Sequence, residues 1–374
     1  MLNTPLLLVS ALFFLALVSV LYLLAWLTTS ALMHMGRRYR LSQIATKRLL
    51  MSALVLPPLL AVLPTIAGAT LRHLHSGGLA AEATEHHSMG CQAMFTSLAS
   101  LGSIAGGTAT SALISGSAWL LIVMGVGLVF RLARATVRLE RGLAPYLSVP
   151  SPRLSRSLER MGMLLPGLPT ACFFECPIPS GCSSVLGFWH ARCVVSQEFV
   201  AGASEEELDA LVSHEGSHLM ARDVFATFLV GALNCVFFFL RPVRLLGRSW
   251  REAAELASDD AAVAATRNPL AMAAAILKAS GVSVPFADLA AAPRLPAVAL
   301  PFADGAACPP SKRVERLIAQ AQQAAFAAPV ESRLQVAGGW IMTGAFAVGG
   351  AWLLGSSEAA CFVHCALEAL VKLL

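Results

Sequence analysis

The chain has little charge. Only 13% of its 374 residues are Asp, Glu, Lys or Arg, where a soluble domain carries about a quarter. A wholly solvated globular protein is therefore excluded. Hydrophobic residues make up 56% of the chain, and they gather in long runs. The formal net charge is just +5, and the Arg residues stand beside apolar runs rather than in one basic patch, so no nucleic-acid partner is expected. No basic residue precedes the first apolar run, which is also too long for a signal-peptide core. It reads as an uncleaved anchor. Four of the nine cysteines, Cys172, Cys176, Cys182 and Cys193, lack the spacing of a common zinc framework and read as reduced core residues.

Four apolar runs are long enough for a bilayer, which takes about 20 helical residues. They cover 6–27, 49–70, 112–130 and 334–354. Pro57, Pro58 and Pro64 interrupt the second; they should kink it and free backbone carbonyls that neighbouring helices must satisfy. Basic residues set the orientation. Arg37, Arg38, Arg40, Lys47 and Arg48 stand without an acid after the first run, and Arg131, Arg134, Arg138, Arg141, Arg153, Arg156 and Arg160 follow the third. Both segments should be cytoplasmic.

The resulting organisation has a first span within 1–35, a basic cytoplasmic loop 36–48, a second span 49–70 and an outer loop 71–111. A third span 112–130, a cytoplasmic domain 131–333, a fourth span 334–354 and an outer tail 355–374 complete it. The expected fold is mainly α, four transmembrane helices with a cytoplasmic α+β domain between the third and fourth. The N-terminus lies outside, in a multi-pass cell (inner) membrane protein. His73, His75, His86 and His87 in the outer loop read as solvated. Cys91, Cys361 and Cys365 fall outside, where a disulfide is permitted.

The middle region carries the chemistry. Short apolar runs at 172–174 and 192–196 read as strands around a Pro/Gly-rich turn. Ser204 with Glu207 three residues on is a capping box that opens a helix, and Glu205, Glu206 and Glu207 suit its positive end. That helix reads LVSHEGSHLM over 211–220. His214 and His218 are four apart, so both imidazoles leave one face and can share a metal. Glu215 can reach a water on that metal and act as its base. A catalytic zinc wants a third protein ligand. The stretch 251–263, REAAELASDDAAV, offers Glu255, with Asp259 one turn on to accept a hydrogen bond from a ligating His. Glu252 is the rival ligand, on a nearby face but with no acid four residues on. Gly216 inside the motif helix suits a close approach by a strand or substrate.

The run 224–240 is apolar enough to cross a membrane. A single crossing would put Glu255 on the far side from His214, so the run is expected to be an interfacial or buried helix. Arg241-Pro242 ends it, and Arg244, Arg248 and Arg251 follow at the membrane surface.

The set HEGSHLMARD over 214–223 with ELASD over 255–259 resembles the gluzincin membrane peptidases. The closest likeness is to the family of β-lactam-sensing antirepressor peptidases; the heat-shock membrane protease HtpX and the prenyl-protein proteases come next. The motif likeness covers 186–263. It implies one Zn2+ per chain on His214, His218 and Glu255, Glu215 as base, and Asp223 with Asp259 behind the ligands. The segment 183–200 resembles a strand pair whose edge holds extended substrate by strand addition, with Gly187, Phe188 and Trp189 as candidates. Two departures stand out. Sensor members carry a penicillin-binding domain after the last span, whereas 20 residues follow Leu354, so a receptor of that design is not expected. Where the HtpX-like branch has His-Pro-Pro before an Arg, this chain has CPPSKR over 308–313; Arg313 is the candidate transition-state stabiliser.

The expectation is a zinc metalloendopeptidase acting on a protein or peptide substrate at the cytoplasmic membrane surface, in regulatory proteolysis or membrane protein quality control. A repressor or signalling partner accompanies the first role. The alternative is a zinc-containing membrane signalling protein that recognises a partner without cutting it.

Overall fold

The computed structural model describes residues 4–39, 42–76, 108–178, 183–187, 190–281, 300–301 and 308–324. Most of these are helical. Helices α1 (Thr4–Tyr39), α2 (Gln43–Ser76) and α3 (Thr108–Leu143) contain three stretches long and apolar enough to cross a membrane, at Phe14–His34, Gln43–Val62 and Leu120–Tyr146. The run 334–354 expected as a fourth span lies outside the described residues, as do Cys91, Cys182, Cys361 and Cys365.

At 36 residues, α3 is about 54 Å long, well beyond the ~30 Å of hydrocarbon it has to cross. Leu120, Val123, Val126 and Phe130 lie exposed along it. That pattern has no aqueous rationale and is a lipid-facing stripe.

Helix α2 continues unbroken through Pro57 and Pro58. Pro58 has no N–H to donate to the carbonyl of Leu54, four residues back. The buried hydroxyl of Tyr22 on α1 donates to that carbonyl instead, at 2.8 Å. The freed carbonyl is thus met by the neighbouring helix, as membrane burial requires.

A small mixed region follows α3. Helix α4 (Pro152–Leu164) starts at an Ser151 cap with Pro at its first position, an arrangement suited to the orphan N–H groups there. Strands β1 (Phe173–Cys176), β2 (Ser184–Leu186) and β3 (Arg192–Ser196) come next. A two-residue strand β4 (Leu300–Pro301) completes a sheet of order β1-β3-β2-β4. The runs at 172–174 and 192–196 do form strands, but they pair in parallel, Phe173 with Cys193 through Cys176 with Ser196. The antiparallel partner of β3 is β2. Cys176 and Cys193 are free and buried, as core residues.

Helix α5 (Gln197–Gly202) leads to α6 (Glu205–Met220), which carries the complete capping box between Ser204 and Glu207. Arg160 and Ser157 of α4 both bond Asp209 of α6. Next come α7 (Asp223–Val236), α8 (Arg241–Thr266), α9 (Pro269–Gly281) and α10 (Pro310–Ala324).

Two large cores and a small one result among the described residues. The first joins β1, β3, α4, α6, α9 and α10 through Phe173, Val195, Leu211, Met272, Ile276 and Leu317. The second joins α1 and α2 to α7 and α8, with Leu50, Ala53 and Leu54 of α2 in one cluster with Val230, Trp250, Ala253 and Ala254. The small one holds Leu139 of α3 against Cys176, Leu186 and Val194 of the sheet.

The apolar run after the motif helix does not leave the site behind. Helix α7 bends 60° from α6, and a turn at 237–240 sends α8 back along it. Glycines make room for this. A Cβ on Gly247 of α8 would lie 2.9 Å from the side chain of Asn234 and 3.0 Å from that of Val230, and one on Gly125 of α3 would lie 3.2 Å from the Cα of Val236. The α7–α8 hairpin therefore runs along α3 and returns, which brings Glu255 back to His214.

Candidate active site

Helix α6 places His214 and His218 one turn apart, and their Nε2 atoms are 3.3 Å from each other. Glu255, brought by α8, sets its carboxylate oxygens 3.7 Å from each Nε2. All three side chains are buried, and together they form a group able to hold a metal ion. Glu252 is not part of it. Its carboxylate turns to the surface and pairs with Lys312.

The second ring nitrogens each face a carboxylate. Nδ1 of His214 lies 3.1 Å from Asp259, and Nδ1 of His218 lies 2.8 Å from Asp223. Carboxylates accept, so a proton on each Nδ1 is the arrangement that leaves a neutral imidazole its Nε2 lone pair for a metal. Ser258 adds a contact to Nδ1 of His218 at 3.1 Å. Burial holds His214 neutral, pushing its pKa down to about 3. At His218 burial, the largest single effect, also opposes protonation, but the bond to Asp223 and the charges of Glu255, Asp223 and Glu215 outweigh it and raise the pKa.

Two imidazole lone pairs and a carboxylate facing one point repel unless a cation lies among them. The 3.3 Å between the Nε2 atoms also matches the spacing of about 3.3 Å for two imidazoles on one tetrahedral ion at about 2.0–2.1 Å. The three carboxylates Asp223, Glu255 and Asp259 face two basic groups, Lys47 and Arg313. The negative charge left over suits a cation. The residues present fit the metal.

Glu215 stands apart from this network. Both of its carboxylate oxygens are buried with no hydrogen-bond partner among the described residues. Burial, with a smaller contribution from Glu255, raises its pKa to about 8. A buried carboxyl with both oxygens unused is costly for folding, and its position beside the ligands makes it available to a bound molecule.

Arg313 reaches the group from α10 and is itself buried. Nε and one terminal nitrogen bond both oxygens of Asp259, at 2.9 and 2.6 Å, and the other terminal nitrogen lies 3.0 Å from Glu255. These contacts keep Asp259 strongly acidic and make Arg313 a clamp on a ligand and on the acid behind another. Cys308, at the start of the same helix, is buried, and burial pushes its thiol up to about 11.

Gly187 closes β2 with a φ of +101°, and a Cβ there would lie 2.4 Å from the carbonyl oxygen of His190. Phe188 and Trp189 lie outside the described residues. The outer edge of β2 is met by β4, where Ser184 and Val185 pair with Pro301 and Leu300. At Gly216 the close neighbour is neither a strand nor a substrate: the side chain of Leu168, in the loop ahead of β1, fills the space a Cβ would take.

Lys47 belongs to the site although the motif reading treated it as one of several topology-setting basic residues. It lies 176 residues before its partner Asp223, and no local pattern marks it.

Residues 182–292 match the family model described as BlaR1 peptidase M56. No curated protein matches the chain. The matched segment contains the whole His-His-Glu group, Glu215 and both supporting acids. Lys47 and Arg313 lie outside it.

Proposed function

We propose that the chain is a membrane-embedded zinc endopeptidase that cuts a protein or peptide at the cytoplasmic membrane surface. Its role would be regulatory proteolysis or the removal of faulty membrane proteins. In this reading four spans, with the N-terminus outside, carry a cytoplasmic domain over 131–333. His214, His218 and Glu255 hold the ion, and Asp259 and Asp223 fix the two imidazoles.

A zinc ion held there supplies a Lewis acid for the scissile carbonyl and acidifies a bound water. Glu215 takes one proton from the attacking water as its oxygen bonds to the carbonyl carbon. The same carboxyl then returns that proton to the amine nitrogen as the C–N bond breaks. Burial raises the proton affinity of this carboxyl, which favours taking up the proton it later returns. Arg313 keeps Asp259 and Glu255 in place while charge shifts nearby.

The observation that carries this reading is Glu215 itself. A purely structural metal needs the ligands and the acids behind them. It has no use for a fourth carboxylate buried beside it with both oxygens unpaired. The test is the full chain in lipid nanodiscs, assayed for metal content and for cleavage of unfolded protein and peptide mixtures. Cleavage should stop with a chelator, return with zinc and be absent from His214→Ala. A zinc-loaded chain that cuts nothing, including itself and its genomic neighbours' products, would support the non-catalytic signalling alternative instead.

A further inference from the structure

One polar connection runs from the membrane helices to the metal ligands. Lys47 sits near the cytoplasmic start of α2, and its ammonium lies 2.5 Å from Oδ1 and 2.6 Å from Oδ2 of Asp223. Asp223 is buried and opens α7. Its Oδ2 is also the atom 2.8 Å from Nδ1 of His218. The turn that allows this has Arg222 in the left-handed region at φ 54°, which brings Asp223 back over a residue five positions earlier.

A second contact runs in parallel. Leu50, Ala53 and Leu54 of α2 share a core with Trp250, Ala253 and Ala254 of α8, immediately before Glu255. Helix α2 thus packs on α8, which carries Glu255, and reaches by charge the acid on α7 that holds the ring of His218.

We propose that Lys47 is a positioning residue of the metal site: delivered by α2, its ammonium holds Asp223 and, through it, the ring of His218. The ligand set is then complete only while α2 is docked, so the segment that bears the peptidase motif depends on a membrane helix for one of its own charges. This rests on the metallopeptidase reading above. The physical reason is that Asp223 has two jobs for one buried carboxylate. Without Lys47 its charge is uncompensated, and nothing among the contacts described holds Oδ2 toward His218 except the imidazole it is meant to orient. A surface ion pair would have no such consequence.

The test uses Co2+ as the probe, bound to the full chain in nanodiscs and read by its visible absorption and by competition with a chelator. Lys47→Met and Lys47→Gln should weaken Co2+ binding by about tenfold or more, the range seen for residues behind metal ligands. Lys47→Arg, which keeps the charge, should stay within about threefold of the parent chain. In an Asp223→Asn background, Lys47→Met should add no further loss. If Lys47→Met does not fold, Lys47→Gln, with a polar head for the same space, carries the comparison. Parent-like Co2+ affinity in either neutral variant overturns the proposal. So does an Arg variant as weak as the neutral ones, or a full additional loss in the Asp223→Asn background. Absence of any His214-dependent Co2+ binding in the parent chain would instead remove the metal site itself, and the proposal with it.

Discussion

Replacing Glu215 by Gln separates the roles assigned to the site. The amide has the shape of the carboxyl, and the structure shows no hydrogen bond that the exchange would break. The ligands His214, His218 and Glu255 keep their supports in Asp259, Asp223 and Arg313. Metal content should therefore equal that of the parent. Cleavage should fall by about 10²–10⁴-fold, the usual contribution of a positioned base, or about 3–5 kcal/mol of barrier.

A third readout comes from the metal-free protein. Folding raises the Glu215 pKa from 4.5 to about 8 through burial, so the folded state binds this proton more tightly than the unfolded one. The group's favourable contribution is full below the unfolded pKa and is lost as pH rises through about 8. In the chelated parent the melting temperature should carry a downward component across that window, and Glu215→Gln should lack it. The assay is peptide cleavage, metal analysis and thermal unfolding in nanodiscs. Full cleavage by the Gln variant would refute the mechanism. Loss of its metal would show that Glu215 is a ligand rather than a base.

Arg313→Met leaves Asp259 and Glu255 without their buried cation and should destabilise the metal-free protein by about 3–5 kcal/mol. Arg313→Lys should recover part of this, since lysine cannot match the two-pronged contact; an unchanged melting temperature in the Met variant would deny the clamp. Glu255→Gln should weaken metal binding at least about tenfold, while Glu252→Gln should leave it intact, because Glu252 is engaged with Lys312. A chelator titration giving the reverse order would reassign the third ligand. Tyr22→Phe should cost about 1 kcal/mol in the parent but less with Pro58→Ala, whose N–H can take the Leu54 carbonyl. An equal cost in both backgrounds, measured by unfolding in detergent, would show that the Tyr22 hydroxyl does not serve that carbonyl.

Much of the ligand set was legible because helical periodicity is local. His214 and His218 share a face at any site where the segment is helical, and Ser204 with Glu207 announces that helix. The choice of Glu255 over Glu252 came from a second local rule, an acid one turn on, and the structure shows what distinguishes them: Glu255 faces the imidazoles while Glu252 meets Lys312. The strand runs were visible, but their pairing was not. Parallel pairing of β1 with β3 depends on the chain between them, and short apolar runs look alike in either direction. The apolar run 224–240 reads as an interfacial or buried helix, since a single crossing would separate the ligands. Its bounds as a helix are Asp223–Val236, and its packing against α3 at Gly125 and against α8 at Gly247 depended on glycines whose value appears only when a neighbour lies opposite.

By itself, the sequence pointed to a membrane protein and to the three side chains, His214, His218 and Glu255, that the fold gathers into one buried group. Hydropathy over about 20 residues and spacing over four are properties of a single segment, and they survive without knowledge of the rest. Tertiary structure decided what stands behind those ligands. Lys47 meets Asp223 across 176 residues, and Arg313 reaches Asp259 across 54. A lone basic residue carries no mark of its partner until folding buries the two together, where an unpaired charge is costly and a paired one holds its neighbours in place.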